Sequence, residues 1–332
     1  MKKFFAILLA VCMIAALAAC GAPKTAEYKL GMGISLNMNS SKENNAQVDA
    51  TVAAVVLDKD GKIVAAKIDV AQSKMDVTNG QVNTEQTFLS KKELKEDYGM
   101  SKIGAKEWYI QAEAFEQYLI GKTGAEVSGM ETVVNDSGHT VTTDEALYAS
   151  CSISIGDFIE AVAKACNDEQ GKSFQSDGSF KLGLAVNTKS DESTAATAEN
   201  DGVVKMYTEF GAVVVGADGK ILAAVTDATQ PQISITAAGQ IGETKFNGTK
   251  RELKEGYNMV AYSNATLEWY EQAKNFTDFA VGKTAAELQG VETKVNDEGH
   301  MVFADEALYA SVSISIDGMI NVIAKAAENA LA

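Results

Sequence analysis

The chain has 332 residues, with 45 acidic against 29 basic side chains and a formal net charge of −16. That balance argues against nucleic acid as a partner and against lying flat on an anionic bilayer. Apart from the N-terminal segment, no apolar run approaches the length of a membrane span.

Met1-Lys2-Lys3 is a positive start, and Phe4–Ala16 is an apolar run too short to span and stay. It ends in Leu17-Ala18-Ala19-Cys20-Gly21, which resembles a bacterial lipobox. Residues 1–19 therefore read as a lipoprotein signal peptide. Cys20 is the expected site of lipidation, and residues 20–27 the tether. The mature chain is expected on the extracytoplasmic face of the cell membrane, held by acyl chains on Cys20.

A long repeat follows. Asp144–Ala165, DEALYASCSISIGDFIEAVAKA, returns as Asp305–Ala326, DEALYASVSISIDGMINVIAKA. Lys29-Leu30-Gly31 and Lys181-Leu182-Gly183 open the two copies. A period near 150 residues is that of a duplicated domain, since solenoid units are far shorter. Domains are expected over 28–166 and 180–332. Between them 167–179 (NDEQGKSFQSDGS) is polar, rich in Gly and Ser, and reads as a linker.

Within each copy, apolar runs flank an Asp-Gly turn: 50–57 and 62–70 around Asp60-Gly61, and 204–215 and 220–226 around Asp218-Gly219. Each pair predicts a β-hairpin. A polar loop carries Lys92-Glu93-Leu94-Lys95-Glu96 in one copy and Arg251-Glu252-Leu253-Lys254-Glu255 in the other. Trp108, Ala112, Phe115 and Leu119 recur at helical spacing, as do Trp269, Ala273, Phe276 and Ala280. Gly121 and Gly282 suit the stop that follows. A short strand is predicted over 131–135, and final helices over 155–166 and 316–327. The order of strands, helix, strand and helix gives an α+β fold, each domain a small antiparallel sheet with packed helices.

Residues able to carry chemistry are few. Cys12 leaves with the signal and Cys20 is the anchor. Cys151 and Cys166 sit at the ends of one predicted helix, about 22 Å apart, too far for a disulfide. Val312 and Ala327 replace them in the second copy. His139 and His300 each follow an Asn-Asp-x-Gly turn and begin a strand; no second His or Cys lies at zinc-ligand spacing. Asp144-Glu145 and Asp305-Glu306 suit helix starts. Ser152 and Ser313 have neither a nearby His nor a Gly-x-Ser-x-Gly elbow, so no serine hydrolase is indicated. Ser150, Ser152 and Ser154, and their counterparts Ser311, Ser313 and Ser315, approach the start of the final helix. Free N–H groups and the helix dipole there suit an anion, while N-capping explains the serines equally well.

Three matches in order carry a resemblance. They are Asp60-Gly61-Lys62-Ile63, Ile120-Gly121-Lys122-Thr123 and Ala149–Ser154 before Glu160–Ala165. In the second copy they are Asp218-Gly219-Lys220-Ile221, Val281-Gly282-Lys283-Thr284 and Ala310–Ser315 before Asn321–Ala326. Each copy resembles a diverged FMN-binding domain, the extracytoplasmic flavin carrier of respiratory complexes and electron-transfer lipoproteins, here of a Gram-positive type bacterium. The resemblance implies FMN as cofactor, flavin-mediated electron transfer and a redox partner protein. Ser152 and Ser313 stand where that family esterifies a Thr, and Ser150 and Ser311 where it has Gly. FMN is accordingly expected to be held without a covalent bond at the start of the final helix, its phosphate near Ser152 and Ser313 and its ring bordered by the loops of Glu93 and Glu252. The other reading is a cofactor-free module that binds a ligand or protein. Either describes a carrier or binding protein more readily than an enzyme.

Overall fold

The runs of Val and Ala in both copies are buried on both faces, and this sets the architecture. A computed structural model describes residues 25–263 and 265–332; the signal segment and Cys20 lie outside them. In the first copy β1 (Ala26–Asn37), β2 (Asn45–Leu57) and β3 (Ile63–Asp76) form an antiparallel meander, with Gly61 at φ +73° in the predicted turn. Then come α1 (Trp108–Leu119), the small hairpin of β4 (Thr132–Val134) and β5 (Thr140–Thr142), and α2 (Gly156–Cys166). The strand β6 (Lys172–Ser176) returns to pair with β1.

The second copy has β7 (Phe180–Lys189), β8 (Gly202–Lys205), β9 (Tyr207–Gly216), β10 (Ile221–Thr229), β11 (Gln232–Ile235) and β12 (Ile241–Lys245). They are followed by α3 (Trp269–Ala280), the hairpin of β13 (Thr293–Val295) and β14 (Met301–Phe303), and α4 (Asp317–Leu331). Helix makes up 32 % and antiparallel strand 33 %, so the chain is α+β.

Two expectations need correction. The stretch 167–179 is not a free linker, because β6 occupies its centre: Tyr28 pairs with Phe174, and Phe174 and Ser176 are buried. The tether read over 20–27 also ends inside β1, whose first residues pair with β6.

The sheet β3-β2-β1-β6 faces the sheet β10-β9-β7. Leu30, Met32, Val52, Ala54 and Val56 of one sheet pack with Leu184, Phe210, Ala212 and Val214 of the other in one cluster. Alternate residues of the same strands face outward. Ala53, Val55 and Ile68 meet α1 and α2, while Val213, Val215 and Ala224 meet α3 and α4. The layers therefore run helix, sheet, sheet, helix. Strands covered on both faces read as continuous apolar runs, which is why these sequences do not alternate. The glycines of the two Lys-Leu-Gly openings let the final helices close in: a Cβ on Gly31 would overlap Ala165 O, and one on Gly183 would overlap Ala326 O.

Ion pairs cross between the copies in matching fashion. Lys164 on α2 meets Glu252 at 3.0 Å, and its counterpart Lys325 on α4 meets Glu93 at 2.6 Å. The same two ammonium groups donate to Ile34 O (2.9 Å) and Val186 O (2.8 Å).

Candidate functional site

The serine segments are held by one buried glutamine each. Gln111 on α1 points its Oε1 at Ser152, accepting the backbone N–H at 2.9 Å and the hydroxyl at 3.1 Å. Its Nε2 donates to Lys106 O at 2.7 Å, so both ends of the amide are used. Gln272 on α3 repeats this, accepting from Ser313 N–H (2.7 Å), Ser313 Oγ (3.2 Å) and Ile314 N–H (3.2 Å), and donating to Leu267 O (2.8 Å). Both glutamines are buried. The donors that a phosphate would use at these serines are thus bound within the chain.

The other serines are placed as follows. Ser150 and Ser311 donate to Leu147 O and Leu308 O, each at 2.9 Å, closing the short helices over 145–148 and 306–311. Ser315 donates to Asp317 Oδ1 at 2.8 Å. Ser154 is exposed. Neither α2 nor α4 has a side-chain N-cap, so the serines do not cap the final helices.

The starts of those helices carry carboxylates. In the second copy Glu209 on β9 reaches across to α4; a Cβ on Gly318 would overlap both of its carboxylate oxygens. The first copy has Thr51 at the place of Glu209, and Asp157 at the place of Gly318. There the acid stands on the helix itself, accepting from Asn37 Nδ2 at 3.2 Å. The second copy sets Glu209 on the strand near Asp317 on the helix, and the first sets Asp157 on the helix with Thr51 on the strand.

A lysine in an aromatic enclosure adjoins each helix start. Lys250 Nζ lies 4.8 Å from the ring centre of Tyr207, 4.9 Å from Tyr257 and 5.1 Å from Trp269. Lys91 Nζ lies 4.9 Å from Tyr98 and 5.3 Å from Trp108. Such faces attract a cation. Lys250 is only 7 % exposed, and burial lowers its pKa to about 8 against the pull of Glu209 and Asp227. Burial raises Glu209 to about 7 and Asp227 to about 6, the latter against Arg251. Asp227 Oδ1 accepts the N–H of Arg251 (3.0 Å) and Ala228 (2.7 Å), fixing the short helix Lys250–Leu253 that brings Lys250 in. Displaced pKa values in one buried cluster are a feature shared by functional sites and structural ion networks. In sequence this segment reads as a polar loop; the trace of its role is the recurring Ser/Thr-Lys-Lys/Arg-Glu ahead of Tyr and Trp.

The remaining candidates have structural surroundings. Asp144 and Asp305 accept the first N–H groups of their short helices at 2.9 and 3.0 Å. His139 and His300 lie exposed at hairpin turns, their backbone N–H groups on Asn135 and Asn296. Cys151 and Cys166 are free thiols, and burial raises each to about 11, which disfavours the reactive thiolate. A depression of about 480 Å3 lies ahead of the first serine segment, lined by Tyr118, Glu131, Asp144 and Glu145 without a Lys or Arg.

No family model matches the chain, and no solved structure matches it. A chlorophenol reductase of Desulfitobacterium hafniense is 30 % identical over 125 residues. The match takes in 32 % of this chain and 38 % of that protein's own length, so it relates a segment of each and leaves the reductase's activity with the reductase.

Proposed function

We propose that the chain is a lipid-anchored, extracytoplasmic binding protein, made of two fused copies of a flavin-carrier-like fold, that holds no flavin phosphate at the starts of α2 and α4. The observation behind this is the use of the serine donors by Gln111 and Gln272. The carboxylates at the helix starts add to it, since a phosphate dianion beside Glu209 or Asp157 meets like charge. The residues present do not fit the phosphate there, and no electron-transfer step is assigned to that place. The test is the visible absorption spectrum of protein purified from its native host, and of recombinant protein made with a flavin transferase and FMN. Colourless protein from both sources is expected. Stoichiometric flavin released by acid denaturation would overturn this reading.

A second reading keeps the electron carrier and its redox partner. Its support is that Ser152 is exposed, where a transferase can compete with Gln111 for the hydroxyl, whereas Ser313 is half-buried. Flavin remaining on the acid-denatured chain, and lost in Ser152→Ala, is what this second reading requires.

A further inference from the structure

In the first copy a single buried carboxylate completes the outer edge of β3. Glu116 on α1 accepts the Ile68 N–H at 2.7 Å, bonds Lys92 Nζ and lies 3.9 Å from Lys67 Nζ. In the second copy Arg251 stands for Lys92, Thr226 for Ile68 and Val225 for Lys67, but Thr277 stands for Glu116. The cation and the strand edge are kept and the acid is gone. A cavity of about 260 Å3 occupies the place, lined by Thr226, Val225, Ala273, Thr277 and Arg251 among others.

Arg251 is buried, and its Nη2 bonds Asp168 Oδ1 and Oδ2 at 3.0 and 3.1 Å. Its other guanidinium N–H groups have no partner among the described residues, and no side chain there takes the Thr226 N–H. Lys172 and Lys274 at the rim are both paired with Asp278. Asp168 already matches the charge of Arg251, and Asp278 and Glu169 are paired with Lys172, Lys274 and Lys254, so a dianion is disfavoured there. The walls at Ala224, Val225 and Ala273 are apolar.

We propose that this cavity binds a small monocarboxylate. Its carboxylate takes the place that Glu116 fills in the first copy, facing the Arg251 guanidinium and the Thr226 N–H, and its apolar part lies against Val225 and Ala273. An arginine fork suits a planar carboxylate, which can accept from two N–H groups at once. The site is separate from the serine segments, so it stands apart from the question of flavin.

The experiment is calorimetric titration of the mature chain with benzoate and acetate, and with benzamide as the uncharged match in shape. Benzoate is expected to bind saturably at one site per chain, with benzamide at least about tenfold weaker, the scale of one charge-assisted hydrogen bond. Thr277→Glu supplies the carboxylate from the chain itself, as the first copy does. It should abolish benzoate binding and raise the melting temperature of the unliganded protein. Thr277→Val keeps the shape without the acid and should retain binding. Equal affinity for benzoate and benzamide would overturn the proposal, and that comparison needs no variant. So would undiminished binding in Thr277→Glu, loss of binding in Thr277→Val, or no saturable binding of either carboxylate.

Discussion

Phe210→Ala tests whether the two copies melt as one body. Phe210 is fully buried on β9, in the core between the sheets, where it packs with Leu30, Met32 and Val52 of the other copy. Truncating a buried Phe to Ala costs about 3–5 kcal/mol. If the shared core couples the copies, roughly 300 residues unfold together with an entropy of about 0.6 kcal/mol/K, and the midpoint falls by about 5–8 °C in a single transition. If the copies unfolded independently, only about 150 residues would carry the loss. One transition would then drop by about 10–16 °C and the other would stay in place. Differential scanning calorimetry of wild type and variant separates these cases. Two resolved transitions, one unmoved by the substitution, would refute the coupling drawn from the inter-sheet core.

Four further outcomes are expected. Gln111→Ala takes the acceptor from the N–H and hydroxyl of Ser152, which water can reach, and should cost about 0.5–1.5 kcal/mol in urea melts; Gln272→Ala, which frees a third donor at Ile314 beside the half-buried Ser313, should cost more. Glu209 and Asp227 titrate higher in the folded chain than their ordinary 4.5 and 3.8, so the stability they contribute is full below those values and is lost as pH rises through about 7 and about 6. Lys250 is lowered, so its contribution is present above 10.5 and lost as pH falls through about 8; Glu209→Gln should therefore flatten the decline in urea midpoint between about pH 5 and pH 7.5, and an unchanged slope would count against the burial of Glu209. Limited proteolysis should cut first near Ile103 and Tyr262, which are 80 % and 87 % exposed, and spare the paired strand over 172–176; a first cut within that strand would contradict its pairing with β1. Cys20→Ala should abolish incorporation of labelled fatty acid, and unchanged labelling would end the lipoprotein reading.

Parts of this fold are legible in the sequence because local physics decides them. Trp108, Ala112, Phe115 and Leu119 fall on one helical face, and α1 spans the predicted range. The Asp-Gly turns sit between the expected strands. What covers the second face of β2 is not readable, since Val52 and Val55 look alike in sequence while one meets the other copy and the other meets helices. The strand over 172–176 is hidden by its Lys, Ser and Gln; only Phe174 and Ser176 turn inward. At the site, Gln111 lies 41 residues from the serine it binds, and its only trace is the matching Gln272 in the second copy. Lys250 escapes notice because a lysine beside arginine and glutamate reads as solvated; the converging Tyr207, Tyr257 and Trp269 rings, the Tyr207 hydroxyl at 3.3 Å and the nearby Glu209 and Asp227 make its burial tolerable.

The pairs Lys164–Glu252 and Lys325–Glu93 stand at corresponding positions of the sequence repeat, as contacts across the axis of a twofold dimer would. In a dimer of identical subunits every substitution appears on both sides of the axis at once, and association depends on concentration. Joining the subunits removes the second constraint by making the contact intramolecular. It also removes the first, so each side can change alone. Thr51 with Asp157 on one side and Glu209 with Gly318 on the other could not coexist in a symmetric pair. A repeat held within one chain can thus keep a residue in one half and change it in the other, as Glu116 and Thr277 do.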